Sequence, residues 1–224
     1  MTFSLAGRCA RTGMLGLVVT SSSPAVAARC AWARAGVGAV ATQNVTDPSL
    51  GPFVLDGIAS GRSAADALDD ALATTPHAAF RQLGVIDSRG RTAAYSGTHT
   101  LGRHNSVAGQ DCVAAGNLLA DENVVAAMVR AFERRADDHL AERLLEALRA
   151  GQAAGGEEGP VRSAGLLVVH EVTWPITNLR VDWHDDPIGE LERLWEVWRP
   201  LEADYVRRAT DPATAPSYGV PGDE

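Results

Sequence analysis

The sequence has 224 residues, of which 46% are hydrophobic and 21% are charged, and its formal net charge is −8. This length fits a single compact domain, because single cores grow to about 250 residues before chains divide. The negative charge argues against nucleic acid or an anionic membrane surface as a partner, since both attract clustered cations. All 20 basic residues are Arg. The absence of Lys excludes a P-loop lysine, a Schiff-base lysine and a lysine general base.

The cysteines and the hydrophobic runs indicate the cellular compartment. Cys9, Cys30 and Cys112 are odd in number and widely spaced, without a CxxC pair, which favours reduced thiols over disulfides or zinc. The apolar run 14–19 follows two Arg and gives a faint outline of a secretory signal, but it is too short for one. No run approaches the about 20 apolar residues of a membrane span. We therefore expect a cytoplasmic protein.

Periodicity and turn residues predict a series of hairpins and helix pairs along the chain. In the first half these are strands at 2–6, 14–20 and 37–43, helices at 48–60 and from Ser63 to Pro76, and a hairpin at 83–96. In the second half these are a strand at 112–117, helices at 121–135 and 137–150 with Gly151 as the stop, strands at 164–170 and 179–183, and a helix from Asp186 toward Arg208.

Hairpins produce antiparallel pairing, and helix pairs placed between them can cover the outer faces of two stacked sheets. The order of elements therefore predicts a layered α/β sandwich rather than a doubly wound parallel sheet. We expect one domain over residues 1–210 and a flexible tail, rich in Pro, Ala and Thr, over 211–224. The apolar stripe of Leu191, Leu194, Trp195 and Trp198 predicts a core face or a subunit interface.

Several motifs that could bind a cofactor or a metal have a simpler interpretation. The segment 36–41 matches GxGxxG/A, but it lacks the preceding strand and the following helix of a dinucleotide site, so close backbone packing is the better explanation. His99 and His104 lie near each other without further ligand-type neighbours, which argues against zinc. Asp186 is explained as a helix cap, although 184–186 could hold a divalent cation. We predict no cofactor and no metal.

Thr2 is a candidate nucleophile because of its position. Removal of Met1 is efficient before a small residue, and it would expose an α-amine and a hydroxyl on Thr2. An α-amine has a pKa of about 7.7 to 8.0, so an appreciable fraction is neutral at pH 7 and can accept the hydroxyl proton. Position alone is a weak signal, because many proteins begin with Met-Thr for no catalytic reason.

Seven motifs in order give the chain a family resemblance over about 200 residues. It resembles the DUF1028 family, whose fold is that of the N-terminal-nucleophile (Ntn) hydrolases and whose activity is unsettled. The resemblance implies an α/β (α+β) fold, a four-layer αββα sandwich of two antiparallel sheets. The motifs are TFS at residue 2, GLVVTSS at 16, WARAGVGAVATQ at 32, RQLGVIDSRGRTAAYSG at 81, AAGNLLA at 114, LEALRAGQAAGG at 145 and LRVDWHDDPIGEL at 179.

The resemblance also implies roles for particular residues. Thr2 takes the place of the nucleophile, and Asn117 that of an oxyanion donor. Ser21 and Gln43 end strands that should approach Thr2. The chain departs from proteasome-type hydrolases in having no Lys near the nucleophile, so the α-amine must act alone or beside a cation. Arg81 and, after the Gly-rich loop, Arg162 are candidates for binding a substrate anion, and a surface ion pair explains either of them equally well.

We therefore predict an amidohydrolase that cleaves a C–N bond of an amide, peptide-like or ureido small molecule, through an ester at Thr2. The alternative is an Ntn-fold protein without hydrolysis, serving as a small-molecule binding or assembly module, because fold does not fix function. In either case we expect a homo-oligomer.

Overall fold

Two antiparallel sheets with helices on their outer faces make up the protein. The computed structural model describes residues 1–222. The strands are β1 (Thr2–Arg8), β2 (Leu15–Ser21), β3 (Ala31–Arg34), β4 (Gly38–Asn44), β5 (Arg81–Asp87), β6 (Thr92–Ser96), β7 (Asn105–Gly109), β8 (Cys112–Asn117), β9 (Ser163–Val169) and β10 (Thr177–Val181). The α-helices are α1 (Ala27–Cys30), α2 (Leu50–Ala59), α3 (Ala64–Thr74), α4 (Asn123–Arg134), α5 (Leu140–Ala153), α6 (Pro187–Trp198) and α7 (Glu202–Thr210).

The sheets stack face to face. One has six strands in the order β10-β9-β2-β1-β8-β7, and the other has four in the order β3-β4-β5-β6. Helices α2 and α3 pack on the outer face of the four-stranded sheet, and α4, α5 and α6 pack on the outer face of the six-stranded sheet. Separate apolar clusters fill the space between the sheets and the space under each helical layer. The fold is thus an αββα sandwich, as predicted.

The structure contains strands and helix ends that the sequence patterns do not predict. Strand β3 is short, and β7 is a half-exposed edge strand with the sequence NSVAG, so neither has a marked apolar alternation. The predicted last helix is two helices, α6 and α7, interrupted around Pro200, because proline cannot donate the hydrogen bond that a helix interior requires.

Two glycines show what small residues do in this fold. The sequence predicts that Gly151 ends α5, but Gly151 lies inside this helix. An added Cβ there would be 2.8 Å from Met128 Cγ. Gly38 lies in β4, where an added Cβ would be 2.5 Å from the carbonyl oxygen of Ile86. Close packing therefore explains Gly38 in the formal dinucleotide motif, and it also explains Gly151.

The C-terminal part of the chain ends in loops. Helix α7 ends at Thr210, and residues 211–222 contain no helix or strand. One domain over 1–210 with a flexible tail remains a prediction, and the last two tail residues, 223 and 224, lie outside the described residues. Within residues 1–222, every helix is too short or too polar to cross a membrane.

Candidate functional site

Polar side chains gather at one end of the space between the sheets. Side chains alternate between the two faces of a strand, and Ala6 of β1 belongs to the apolar cluster between the sheets. Thr2 and Ser4 therefore face the same space as Ala6, at the end where β1 begins. Four other strands show the same pattern. Their apolar residues in that cluster are Val19, Val113, Ala41 and Ile86. Beyond these, on the same faces and at the same end, lie Ser21, Asn117, Gln43 and Gln82.

Thr2 lies between the ends of two neighbouring strands. It pairs with Asn117 of β8, and the pairing of Phe3 with Thr20 brings Ser21 to its other side. The Thr2 hydroxyl lies 3.3 Å from Ser21 Oγ. It also donates to the carbonyl oxygen of Met1 at 2.5 Å, and the Ser21 hydroxyl donates to that same oxygen. Thr2 is 5% exposed, so the chain with Met1 in place has a closed site.

Gln82 connects the polar ends of the two sheets. Its Oε1 accepts hydrogen bonds from Gln43 Nε2 at 2.8 Å and from Asn117 Nδ2 at 3.0 Å. Its Nε2 donates to the carbonyl oxygen of Gly116 at 3.0 Å and to Ser96 Oγ at 3.0 Å. Since a carbonyl oxygen only accepts, Gly116 fixes which end of the Gln82 amide is nitrogen.

This orientation determines the hydrogen bonds of the other amides. Gln43 must turn its nitrogen to Gln82, so its oxygen accepts from the Ser4 hydroxyl at 2.7 Å. Asn117 must also turn its nitrogen to Gln82. Its Oδ1, which is fully buried, then has no hydrogen-bond partner within residues 1–222. Asn117 thus presents one unused acceptor beside Thr2, and its Nδ2 carries a second hydrogen for donation.

The two arginines predicted to bind substrate lie apart from this cluster. Arg81 projects from β5 to the face opposite Gln82, where it donates to the carbonyl oxygen of Val45 at 2.5 Å and pairs with Asp47 at 3.8 Å. Arg162 is beside Ser21 through its backbone, donating to the Ser21 carbonyl oxygen at 2.7 Å, but its guanidinium pairs with Asp185. The structure brings neither guanidinium to Thr2, and their anion-binding role stays a prediction.

A buried carboxylate lies at the same end of the molecule. Glu157 is 6% exposed, and neither of its carboxylate oxygens has a hydrogen-bond partner within the described chain. Burial raises the pKa of Glu157 to about 7. The α-amine of the chain terminus opposes this rise, as do the hydroxyl and amide of Ser22, although neither Ser22 group makes a direct hydrogen bond to the carboxylate. An acid with a pKa near neutrality can hold or release a proton at physiological pH.

Sequence reasoning missed Gln82 and Glu157. Gln82 had a signal, because it and Gln43 occur at the polar end of apolar strands that the hairpin pattern already predicted. Glu157 had none, since it lies in a Gly-rich loop whose position depends on distant contacts.

The rest of the described chain offers less chemistry. In residues 1–222 no three His, Cys, Asp or Glu side chains form a group that could hold a metal ion. A cavity of about 480 Å³ lies between α5 and α6. Its charged lining residues pair with one another, as Arg149 does with Glu146 and Arg199 with Glu142. It contains no residue of the Thr2 site.

Comparisons with known proteins assign the family. The profile of DUF1028, a family of unknown function, matches residues 2–191. No curated protein matches the chain. The crystal structure of a DUF1028 protein from Silicibacter pomeroyi is similar, at 32% identity and a TM-score of 0.84, over 92% of this chain and 90% of that one. Anbu, an ancestral beta-subunit from Yersinia bercovieri, matches at 10% identity over 92% of this chain and 97% of its own, with a TM-score of 0.37. The chain belongs to the DUF1028 family.

Proposed function

We propose that the protein is an amidohydrolase in which Thr2, exposed by removal of Met1, attacks the carbonyl carbon of a C–N bond in a small molecule. The observation that supports this most is the placement of the Thr2 hydroxyl. It lies at the start of β1, between Ser21 and Asn117, and already donates to a carbonyl oxygen, that of Met1. Removal of Met1 would leave this hydroxyl beside an α-amine on the same residue, with Ser21 and Asn117 as polar neighbours.

The chemistry follows from having a nucleophile and a base on one residue. The α-amine takes the hydroxyl proton while Oγ1 bonds to the substrate carbonyl carbon, and the same proton passes to the leaving nitrogen as the C–N bond breaks. Water then hydrolyses the ester at Thr2. We assign the oxyanion to the second hydrogen on Asn117 Nδ2, since Gln82 uses the first and preorganised donors stabilise developing charge.

The proposal includes a relationship to the Ntn hydrolases. It is supported by the αββα layers and by the position of a hydroxyl residue at the start of a central strand. Met1 covers this residue, with its side chain packed near Gly159, so its removal is the step that opens the site to substrate.

One labelling experiment tests the proposal. Intact mass shows whether Met1 is lost, and an electrophilic lactone or ester probe then adds its mass at Thr2. Thr2→Ala abolishes the addition, and Thr2→Ser, which keeps a hydroxyl and an amine, retains it. Retention of Met1, or labelling that is indifferent to Thr2→Ala, rejects the hydrolase in favour of a binding or assembly module.

A small-molecule amide as substrate, a homo-oligomer and a cytoplasmic location are further parts of the proposal. Light scattering on the purified chain measures the number of subunits. Fractionation of the cells measures the location.

A further inference from the structure

Residues 1–222 contain two buried acids, Asp87 and Glu157, and they differ in their hydrogen bonds. Asp87 is 1% exposed. Asp87 accepts hydrogen bonds from the amides of Arg89 and Arg91 and from the Arg91 guanidinium, so its charge is fully compensated. Glu157 has no hydrogen-bond partner for either oxygen in the described chain. An unpaired buried charge is costly to a fold, which indicates that Glu157 serves a purpose other than stability.

The backbone holds Glu157 at the Thr2 end of the molecule. Gly155 and Gly156 have φ angles of 119° and 60°, and turn the chain after α5. The turn then pairs with the segment that follows Asn117: residue 157 forms an antiparallel bridge with Leu119, and Glu158 donates its amide to the carbonyl oxygen of Leu118 at 3.0 Å. The carboxylate is therefore fixed by hydrogen bonds of the main chain rather than by its own.

Gly159, two residues beyond Glu157, lies against the Met1 side chain, and the α-amine of the terminus lowers the pKa of the Glu157 carboxyl. The same amine acts on the Cys30 thiol, whose pKa burial raises and Thr46, Arg29 and the amine lower. Guanidinium groups on the neighbouring segments are engaged elsewhere: Arg103 lies 3.6 Å from Glu158, and Arg162 pairs with Asp185. Since the chain has no Lys, an amine at the terminus has no competitor of its own type.

We propose that Glu157 is the counter-ion of the Thr2 α-amine, a positioning residue that orients the amine and takes up its surplus proton. This inference rests on the proposed function, since it concerns the amine that removal of Met1 creates. Removal of Met1 moves the amine by one residue, from Met1 to Thr2.

The proton transfers balance. The Thr2 ammonium gives one proton to the Glu157 carboxylate and becomes a neutral amine. The amine accepts the Thr2 hydroxyl proton as Oγ1 bonds to the carbonyl carbon, and it returns that proton to the leaving nitrogen as the C–N bond breaks. Glu157 then gives its proton back to the amine, which restores the ion pair. In the second half, after the same proton transfer to Glu157, the amine accepts a proton from water as the water oxygen bonds to the ester carbon, and it returns that proton to Thr2 Oγ1 as the ester bond breaks.

The test measures the pKa of the amine itself. Chains that begin at Thr2, released if necessary by a site-specific protease, are prepared as the wild type, Glu157→Gln, Glu157→Asp and the matched control Glu158→Gln. Because the sequence contains no Lys, reductive methylation with ¹³C-formaldehyde labels the α-amine alone. A pH titration followed by NMR gives its pKa.

We expect Glu157→Gln to lower the amine pKa by about 1 to 3 pH units, because a nearby opposite charge stabilises the ammonium by that amount. Glu157→Asp falls between this value and the wild type, and Glu158→Gln titrates like the wild type. In probe labelling of Thr2, Glu157→Gln moves the acid limb of the pH profile to lower pH and reduces the plateau rate. A merely structural role predicts neither change.

The two proposals fail in different ways. An amine pKa that is the same in Glu157→Gln and the wild type overturns the role of Glu157, even where Thr2 reacts with the probe. A shifted pKa without any labelling of Thr2 supports the ion pair and rejects the hydrolase. An equal shift in Glu158→Gln reveals a general surface charge effect and also overturns the assignment.

Discussion

Gln82 accepts a hydrogen bond from Asn117 across the two sheets, with 3.0 Å between Oε1 and Nδ2. The side chain of Gln82 is completely buried, and it makes four hydrogen bonds, two as acceptor and two as donor. It therefore links the strand that carries Gln43 to the strand that ends beside Thr2.

Replacing Gln82 by Met keeps the volume but removes all four hydrogen bonds. Each buried group left without a partner costs about 1 to 3 kcal/mol, so we expect Gln82→Met to lower the free energy of unfolding by about 3 kcal/mol or more. Urea denaturation measures the loss. The control is Ser96→Ala, which removes one of the four partners at a half-exposed position and should cost about 1 kcal/mol. Equal costs for the two variants would contradict the central place of Gln82.

Replacing Asn117 by Ala tests the oxyanion site. Loss of one such donor typically slows acyl transfer by about 100 to 1,000-fold, and we expect that reduction in the rate of probe labelling at Thr2. The matched control is Asn123→Ala, on the exposed first turn of α4, which should label at the wild-type rate. A rate loss under about threefold in Asn117→Ala would assign the oxyanion to other donors.

The buried carboxylate of Glu157 gives stability a pH dependence of known sign. Its pKa is about 7 in the folded chain that carries Met1, against an ordinary value of 4.5. Between these values the folded state binds more protons than the unfolded state, so stability decreases as pH rises. The decrease from this group is about 3 kcal/mol, and it ends above pH 7.

Urea denaturation at pH 4.5, 6 and 7.5 of chains that retain Met1 measures this slope. Glu157→Gln should remove it and should be more stable than the wild type at pH 7.5. Glu158→Gln, the adjacent exposed acid, should keep the wild-type slope. If the stability of the wild type instead rises from pH 4.5 to 7.5, and Glu157→Gln removes that rise, the carboxylate is paired in solution.

Gly151 should not tolerate a methyl group, even though Ala favours helices by about 1 kcal/mol over Gly. An added Cβ lies 2.8 Å from Met128 Cγ and 3.1 Å from Phe3 Cε2, so Gly151→Ala should lower stability by about 1 to 3 kcal/mol. The control is a double-mutant cycle with Met128→Ala. Removing the Met128 side chain should reduce the cost of Gly151→Ala by at least about 0.5 kcal/mol. Strict additivity would show that the clash lies elsewhere.

The sequence predicts the layers of the fold better than it predicts the hydrogen bonds of the site. Apolar runs and turn residues identify strands such as β8, all of whose residues are buried. Edge strands such as β7 are not predicted in this way, because their half-exposed residues show no clear pattern of apolar and polar positions. In the site, Thr2, Ser21, Gln43 and Asn117 were predicted to converge, and they do.

Glu157 could not be predicted, because no local pattern distinguishes it from Glu158, the next residue. What separates them is which side chain the loop turns inward, and that depends on the backbone bridge to Leu119. Arg81 contacts Val45 and Asp47 rather than Thr2, and its anion-binding role stays a prediction. Alternation sends it and Gln82 to opposite faces of β5, so only one of the two can face Thr2.

The position of Met1 decides how the protein should be prepared. Its carbonyl oxygen contacts both Thr2 and Ser21, and its side chain lies near Gly159. An affinity tag fused ahead of Met1 continues the chain from this point and keeps the hydroxyl of Thr2 covered. A tag after residue 224 leaves the N-terminal end unchanged. Under the proposed function, assays of C-terminally tagged protein are therefore the ones in which loss of Met1 can open the site.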